Sequence, residues 1–201
     1  MSLTTETPTA HSDAQRLLHH MARRSHVAPK RLVVPGPDNG QLTLIFSAAA
    51  HAPDHGRIQP WRFIMVPEHR RADLGEAFVQ ALLQRDPQAS LEQRDAARDK
   101  AFRAPCLVVA VLSDAPSEPP VPRAEKLVSL GCALQNMLLV TQTLNLGSGL
   151  TSGQAMNAPA LRELLALSPH EEAICFLNLG TVASHKPARP RAEASAFVSS
   201  L

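Results

Sequence analysis

Tyrosine does not occur among the 201 residues, so no phenol of this chain can serve as proton donor, nucleophile or oxyanion partner. An excess of charge of one sign is also missing. The formal net charge is +2 and the cations are spread along the chain, without the concentrated basic surface that a nucleic-acid partner needs. No uninterrupted apolar run approaches the length of a bilayer span, and the start, MSLTTETPTAHSDA, has neither a basic beginning nor an apolar core. A cytoplasmic protein with no nucleic-acid and no membrane partner is expected. Cysteine is scarce, and Cys106, Cys132 and Cys175 lie far apart among apolar neighbours, with no CxxC or Cys/His ligand spacing. They read as small buried hydrophobes in a reducing compartment.

Other chemistries lack their signatures. No GxSxG elbow occurs, which disfavours a serine hydrolase. His51 and His55 have HxxxH spacing, but Pro53 between them prevents one helical face from presenting both, and no metal site is expected. The glycines of GSGLTSG, residues 147–153, do not follow GxGxxG and come after a helical segment rather than a strand. They read as a flexible helix-terminating turn in which Gly147 or Gly149 takes positive φ.

What is present organises into one domain. With 44% hydrophobic residues the chain can build a single sizeable core. Residues 1–11 read as a disordered tail and 12–201 as the domain. Apolar periodicity predicts a helix from Ser12 or Asp13 to about Arg24, another over 41–50, two more over 73–85 and 91–102 broken at Asp86-Pro87, and one starting at Asn157 or Ala158. From Arg123 to about Leu144 the chain is helical and apolar almost all round, which predicts a central helix. Three strands are predicted: Trp61–Val66, Ile174–Leu179 and CLVVAVL at 106–112, a run suited to burial on both faces. Long helices with few strands give an α+β fold, a small sheet covered by helices.

Two segments carry an unusual density of polar groups. MARRSH at 21–26 offers two guanidiniums and a hydroxyl within three residues, enough to clamp a terminal phosphate. HAPDHGRIQPWRF at 51–63 holds two histidines, an aspartate, two arginines, two prolines and the only tryptophan between two apolar segments.

Taken together, ARRS at 22–25, APDHGRIQPWRF at 52–63, FRAP at 102–105, SLGCALQNMLL at 129–139 and LNLGT at 177–181 resemble the nitroreductase family of flavoproteins, nearest its short, compact members. The resemblance implies a small mixed sheet, an interlocked homodimer with FMN sites between the subunits, and hydride transfer from NADH or NADPH through flavin to an electron-poor acceptor such as a nitroaromatic or quinone. It assigns the flavin phosphate to Arg23, Arg24 and Ser25, places His51 and His55 across the interface from the partner's loop, and aligns a Trp-Arg-Ser stretch along the flavin ring with Leu150, Thr151 and Ser152. No catalytic side chain is implied, because the chemistry is the cofactor's. The chain departs from close relatives at His51, where they carry arginine, and at Leu150 and Thr151. Lys186, Arg189 and Arg191 are candidates for a compensating basic contact. Two other readings remain open: a flavin-binding or storage protein with little turnover, and a cofactor-free structural or regulatory dimer.

Overall fold

The computed structural model describes residues 10–118, 120–184 and 190–201; residues 1–9 of the tail expected over 1–11 and the basic residues Lys186 and Arg189 lie outside them, while residues 10 and 11 of that expected tail begin a helix. In chain order the elements are α1 (Ala10–Arg23), β1 (Leu32–Val33), α2 (Asn39–Ala49), β2 (Trp61–Met65), α3 (Arg71–Arg85), α4 (Leu91–Arg98), β3 (Cys106–Ser113), α5 (Arg123–Thr143), β4 (Gly147–Thr151), α6 (Pro159–Leu164) and β5 (Glu171–Val182). Short 3-10 turns occupy several of the connections, including His55–Arg57 and Asp99–Phe102.

The sheet is α+β as expected but larger and differently paired. β5 lies beside β3 along one edge and beside β4 and then β1 along the other, and β2 closes the far side of β3. Every described pairing is antiparallel, so the expected mixed sheet is corrected. The reason is positional: β3 and β4 run the same way, but β5 is inserted between them, so the parallel strands never meet.

β3 confirms the reading of CLVVAVL. Its residues alternate between two cores, Cys106, Val108, Ala110 and Leu112 facing α2 and α5, and Leu107, Val109 and Val111 facing α3 and α6. A bulge opposite Ala110 and Val111 skips Ile174, which moves Ala173 to the α3 and α6 side while Cys175 and Leu177 face α5. Both cores are continuous with the sheet, and this double burial fixes register strongly.

Local chemistry sets the helix boundaries. Asp38 accepts from the Gln41 N–H at 2.8 Å while the Gln41 side chain accepts from the Asp38 N–H at 3.0 Å, a capping box that starts α2 two residues earlier than periodicity suggested. Ser90 and Gln93 cap α4 in the same way. The helix predicted over 91–102 is α4 followed by the Asp99–Phe102 turn, which tightens the chain before β3. A buried guanidinium secures this junction, because Arg71 donates to the carbonyls of Val66 (2.9 Å) and Ala101 (2.7 Å).

α5 crosses the sheet with Leu130, Leu134, Met137 and Leu138 in the core. Its other face is open in the single chain: Val128 is 65% exposed, and Cys132 is half-exposed. Only Cys106 and Cys175 are the buried hydrophobes expected, with thiols pushed up to about 11 by burial; Cys132 departs because it sits on that outer face. Among the described residues no helix is long and apolar enough to cross a membrane.

Candidate functional site

α1 ends at Arg23, and the chain then runs extended alongside β4. The Val27 N–H donates to the Ser148 carbonyl at 2.9 Å, which ties the Arg23-Arg24-Ser25 segment to the strand carrying Leu150 and Thr151. Such closeness requires glycine in β4. A Cβ at Gly149 would stand 2.2 Å from the Val27 carbonyl oxygen and 2.9 Å from the His26 ring, and one at Gly147 would stand 2.5 Å from Val182.

The segment 147–153 is therefore not the flexible turn that its glycines suggested. Residues 147–151 form β4, paired along β5 from Gly147 opposite Gly180 to Thr151 opposite Phe176. The left-handed residue that ends the preceding helix is Asn145 (φ 56°), whereas neither Gly147 nor Gly149 has positive φ. These glycines are needed for close approach, not for backbone conformation.

Arg23 and Ser25 are exposed and Arg24 is half-buried. From the far end of the chain Arg191 reaches the same place, donating from Nη2 to the Arg24 carbonyl at 2.9 Å. Burial, and then the like charge of Arg191, hold the Arg24 guanidinium below its ordinary range. Among the described residues no carboxylate pairs with Arg23, Arg24 or Arg191. The group is a cationic cluster whose electrostatics favour an anion.

Asn178, which sequence reasoning left without a role inside LNLGT, organises the next part. Its buried side chain donates to the Gly149 carbonyl and to Thr151 Oγ1, both at 3.0 Å. Thr151 and Ser152 then line a cavity of about 620 Å³, together with Phe78, Phe176, Lys100 and Arg103. Phe78 and Phe176 meet edge to face, with centroids 5.6 Å apart. Leu150 is different, for it packs onto the α5 core. Of the three residues expected along a flavin ring, two face this cavity. Arg103 lies in the FRAP segment without a role assigned to it, and Lys100 carried no sequence signal beyond its charge.

The histidine loop stands apart from these groups within one chain. Asp54 Oδ2 accepts from the Gln59 N–H at 2.7 Å, and Gly56 takes φ 72° in the turn, so Pro53 and Pro60 bracket a closed structure. Trp61 is buried and Phe63 packs against Phe46 at 5.9 Å, anchoring the loop as expected. His51 is exposed at the end of α2, and His55 Nδ1 lies 2.6 Å from Glu125 Oε2 at the start of α5. Among the described residues no hydrogen bond or ion pair joins either histidine to Arg23, Arg24, Ser25 or residues 150–152. A second cavity of about 800 Å³ opens beside this loop and β2, lined in part by Asp54, Arg57 and Arg62. Asp54 Oδ1 is buried there without a hydrogen-bond partner.

Comparison with known proteins bears on the fold and the family. A protein of Escherichia coli strain K12, YdjA, whose name proposes it as an NAD(P)H nitroreductase, is 34% identical over 171 residues, 84% of this chain and 88% of its own. The crystal structure of a nitroreductase-like family protein from Bacillus cereus superposes with TM-score 0.77 at 18% identity, covering 100% of this chain and 99% of that one. A crystal structure from Desulfovibrio desulfuricans, of a protein proposed by its description as a nitroreductase and in complex with FMN, gives TM-score 0.69 at 21% identity over 92% of this chain and 96% of that one. The sequence profile of the nitroreductase family matches residues 22–181, from the first residue of the ARRS segment to the end of LNLGT. With profile, relative and fold in agreement over most of its length, the chain belongs to the nitroreductase family.

Proposed function

We propose that the protein is an FMN-dependent oxidoreductase that takes hydride from NADH or NADPH and reduces an electron-poor acceptor such as a nitroaromatic or quinone. The observation that carries this reading is the crowding of Arg24 and Arg191 beside β4, with Arg23 and Ser25 next to them. Like charges brought together with partial desolvation are unfavourable, and a phosphate dianion at that point reverses the sign of the interaction. The residues present fit such a group: two or three guanidiniums supply charge, Ser25 supplies a directional donor, and Gly149 lets the clamp lie against the strand.

FMN would supply a two-electron carrier held between donor and acceptor. Arg23, Arg24, Ser25 and Arg191 would hold its phosphate. Thr151 and Ser152 would hydrogen-bond the ring edge, with Asn178 fixing Thr151 in place, and the apolar walls of the cavity would keep water from the exchange. The FMN in the Desulfovibrio structure, on the same fold, supports the choice of cofactor.

His51 and His55 face none of these groups in their own chain, and a second copy would bring them across the interface. A homodimer also gives the open face of α5 a partner. The working compartment is the cytoplasm.

The visible spectrum of freshly purified protein tests the proposal: a flavin spectrum bleached by NADPH and restored by an acceptor is expected. Arg23→Ala should weaken FMN binding by about ten- to a hundredfold, the scale of one charge-assisted contact, and Arg31→Ala should not. A protein that stays colourless with excess FMN and shows no rise in Tm would refute the reading.

One observation favours a second reading. Leu150 packs into the core and Thr151 Oγ1 accepts from Asn178, and neither side chain supplies the aromatic face or the guanidinium of close relatives. A flavin-binding protein with little turnover would be yellow yet consume neither NADH nor NADPH with any acceptor.

A further inference from the structure

We infer that Gln142 and His20 are positioning residues for the anion clamp: the corner that joins α5 to β4 holds both ends of residues 20–27, and Gln142, by capping the last turn of α1, aims Arg23, Arg24 and Ser25 at the place where a phosphate would sit. The inference deepens the flavin reading and rests on it for the identity of the anion, not for the anchoring.

α1 needs such a cap. The last carbonyls of a helix have no partner within it, and a glycine just past the end commonly lets the backbone turn back to satisfy them. Here Arg23 is followed by Arg24, Ser25, His26 and Val27, and the chain leaves extended along β4. The Arg24 N–H bonds to the Met21 carbonyl at 3.2 Å, one residue short of its α-helical partner, so the His20 carbonyl is left to a donor from elsewhere. Gln142, in the last turn of α5, supplies it: its Nε2 donates to the His20 carbonyl at 2.9 Å and stands 3.5 Å from His20 Nδ1. On the other side of the ring His20 Nε2 donates to the Leu139 carbonyl at 3.2 Å. With the proton on Nε2, Nδ1 turns a lone pair to the Gln142 amide, and the three groups agree on one tautomer.

Apolar burial contributes little to this seat. Leu17, Leu18 and Met21 are 53%, 64% and 39% exposed, so within its own chain α1 leaves its apolar stripe open, and the attachment of its last turn to α5 rests on the polar contacts at His20. At the far end of the stretch the Val27 N–H reaches the Ser148 carbonyl at 2.9 Å. Gln142 and Ser148 flank one corner, which turns at Asn145 with φ 56°, and between them they hold the backbone on either side of the clamp. Guanidinium side chains are long, and the course of their backbone decides whether their donors converge on one anion. Without Gln142 the Val27 anchor and the Arg191 contact to the Arg24 carbonyl remain, so the loss expected is one of aim, not of fold.

The test compares FMN with riboflavin, which carries the same ring without the phosphate, by fluorescence titration of the full chain. Gln142→Met keeps the length of the side chain and removes the donor; His20→Leu removes the ring's donor, and His20→Gln retains an N–H within reach of Leu139. Wild type should prefer FMN. The preference should fall about tenfold in Gln142→Met and His20→Leu, with riboflavin affinity unchanged, and stay within about twofold of wild type in His20→Gln. In the flavin-free proteins, hydrogen exchange of the Arg24 and Val27 amides should quicken in the first two variants while the β3 amides keep their protection. A fall of FMN and riboflavin affinity by the same factor overturns the proposal, since the role would then be merely structural, and so does an unchanged FMN preference or unchanged exchange at Arg24 and Val27. If one of the two variants fails to fold, seen as lost protection across β3, the other carries the same test. A wild type that binds neither flavin, or both equally, ends the phosphate reading by itself; the exchange measurement, which needs no flavin, then decides the anchoring, quickened exchange upholding it and unchanged exchange overturning it.

Discussion

Gly149→Ala concentrates the structural reasoning into one methyl group. The added Cβ would lie 2.2 Å from the Val27 carbonyl oxygen, more than an ångström inside ordinary contact, and 2.9 Å from the His26 ring. The ring can rotate away, but the carbonyl belongs to the backbone that follows the clamp. Relief therefore requires residues 24–27 to move off β4, which stretches the 2.9 Å hydrogen bond from Val27 N–H to Ser148 beyond a useful length. One lost backbone hydrogen bond costs about 1 kcal/mol and the overpacking about 1–3 kcal/mol. At about 2–4 °C per kcal/mol for a domain of this size, Tm should fall by about 5–15 °C. FMN affinity should fall with it by tenfold or more, because Arg23, Arg24 and Ser25 move with the segment. Differential scanning calorimetry and a flavin-fluorescence titration on the same preparation read both effects. If the variant melts within about 2 °C of wild type and binds FMN equally well, the clamp does not lie on β4 as described.

Three further outcomes follow from other contacts. Asn178→Ala removes the donor to Gly149 and Thr151 and should cost about 1–3 kcal/mol in urea unfolding; a neutral result would mean the β4 end is held by strand pairing alone. Glu171 is held down at about 2, against an ordinary 4.5, first by hydrogen bonding from Arg62 and further by the Ser168 N–H. A depressed carboxylate contributes stability that is complete above about pH 4.5 and lost as pH falls toward 2, so Glu171→Gln should lower stability by about 1 kcal/mol at pH 7, much less at pH 2, and an unchanged pH profile would refute the pairing. Val128→Glu, on the open face of α5, should shift sedimentation from two copies toward one; an unshifted boundary would place the interface elsewhere.

The sequence revealed the parts that rest on local pattern. CLVVAVL announced a doubly buried strand, the Asp86-Pro87 break separated two helices, and the apolar run 123–144 marked α5 almost to the residue. What stayed hidden depended on distant partners. β4 was masked because glycine has low strand propensity, and only the proximity of Val27 and Val182 explains why glycine is required there. β1, two residues long, exists only because β5 extends far enough to pair with it. At the site, the concentration of donors at Arg23, Arg24 and Ser25 was legible in the sequence. The roles of Asn178 and Arg103 within LNLGT and FRAP, and of Lys100, were not, since a buried asparagine in a strand and two cations in a short turn acquire meaning only when folding sets them around one cavity.

The hydrogen bond between Arg191 and the Arg24 carbonyl spans 167 positions of sequence. During synthesis the first half of the clamp leaves the ribosome early and waits for almost the whole chain before its counterpart emerges. On the proposed flavin reading, a nascent polypeptide can bury its cores before the second guanidinium arrives to meet a phosphate, and trimming by proteases just before residue 191 should weaken flavin retention while leaving the fold intact.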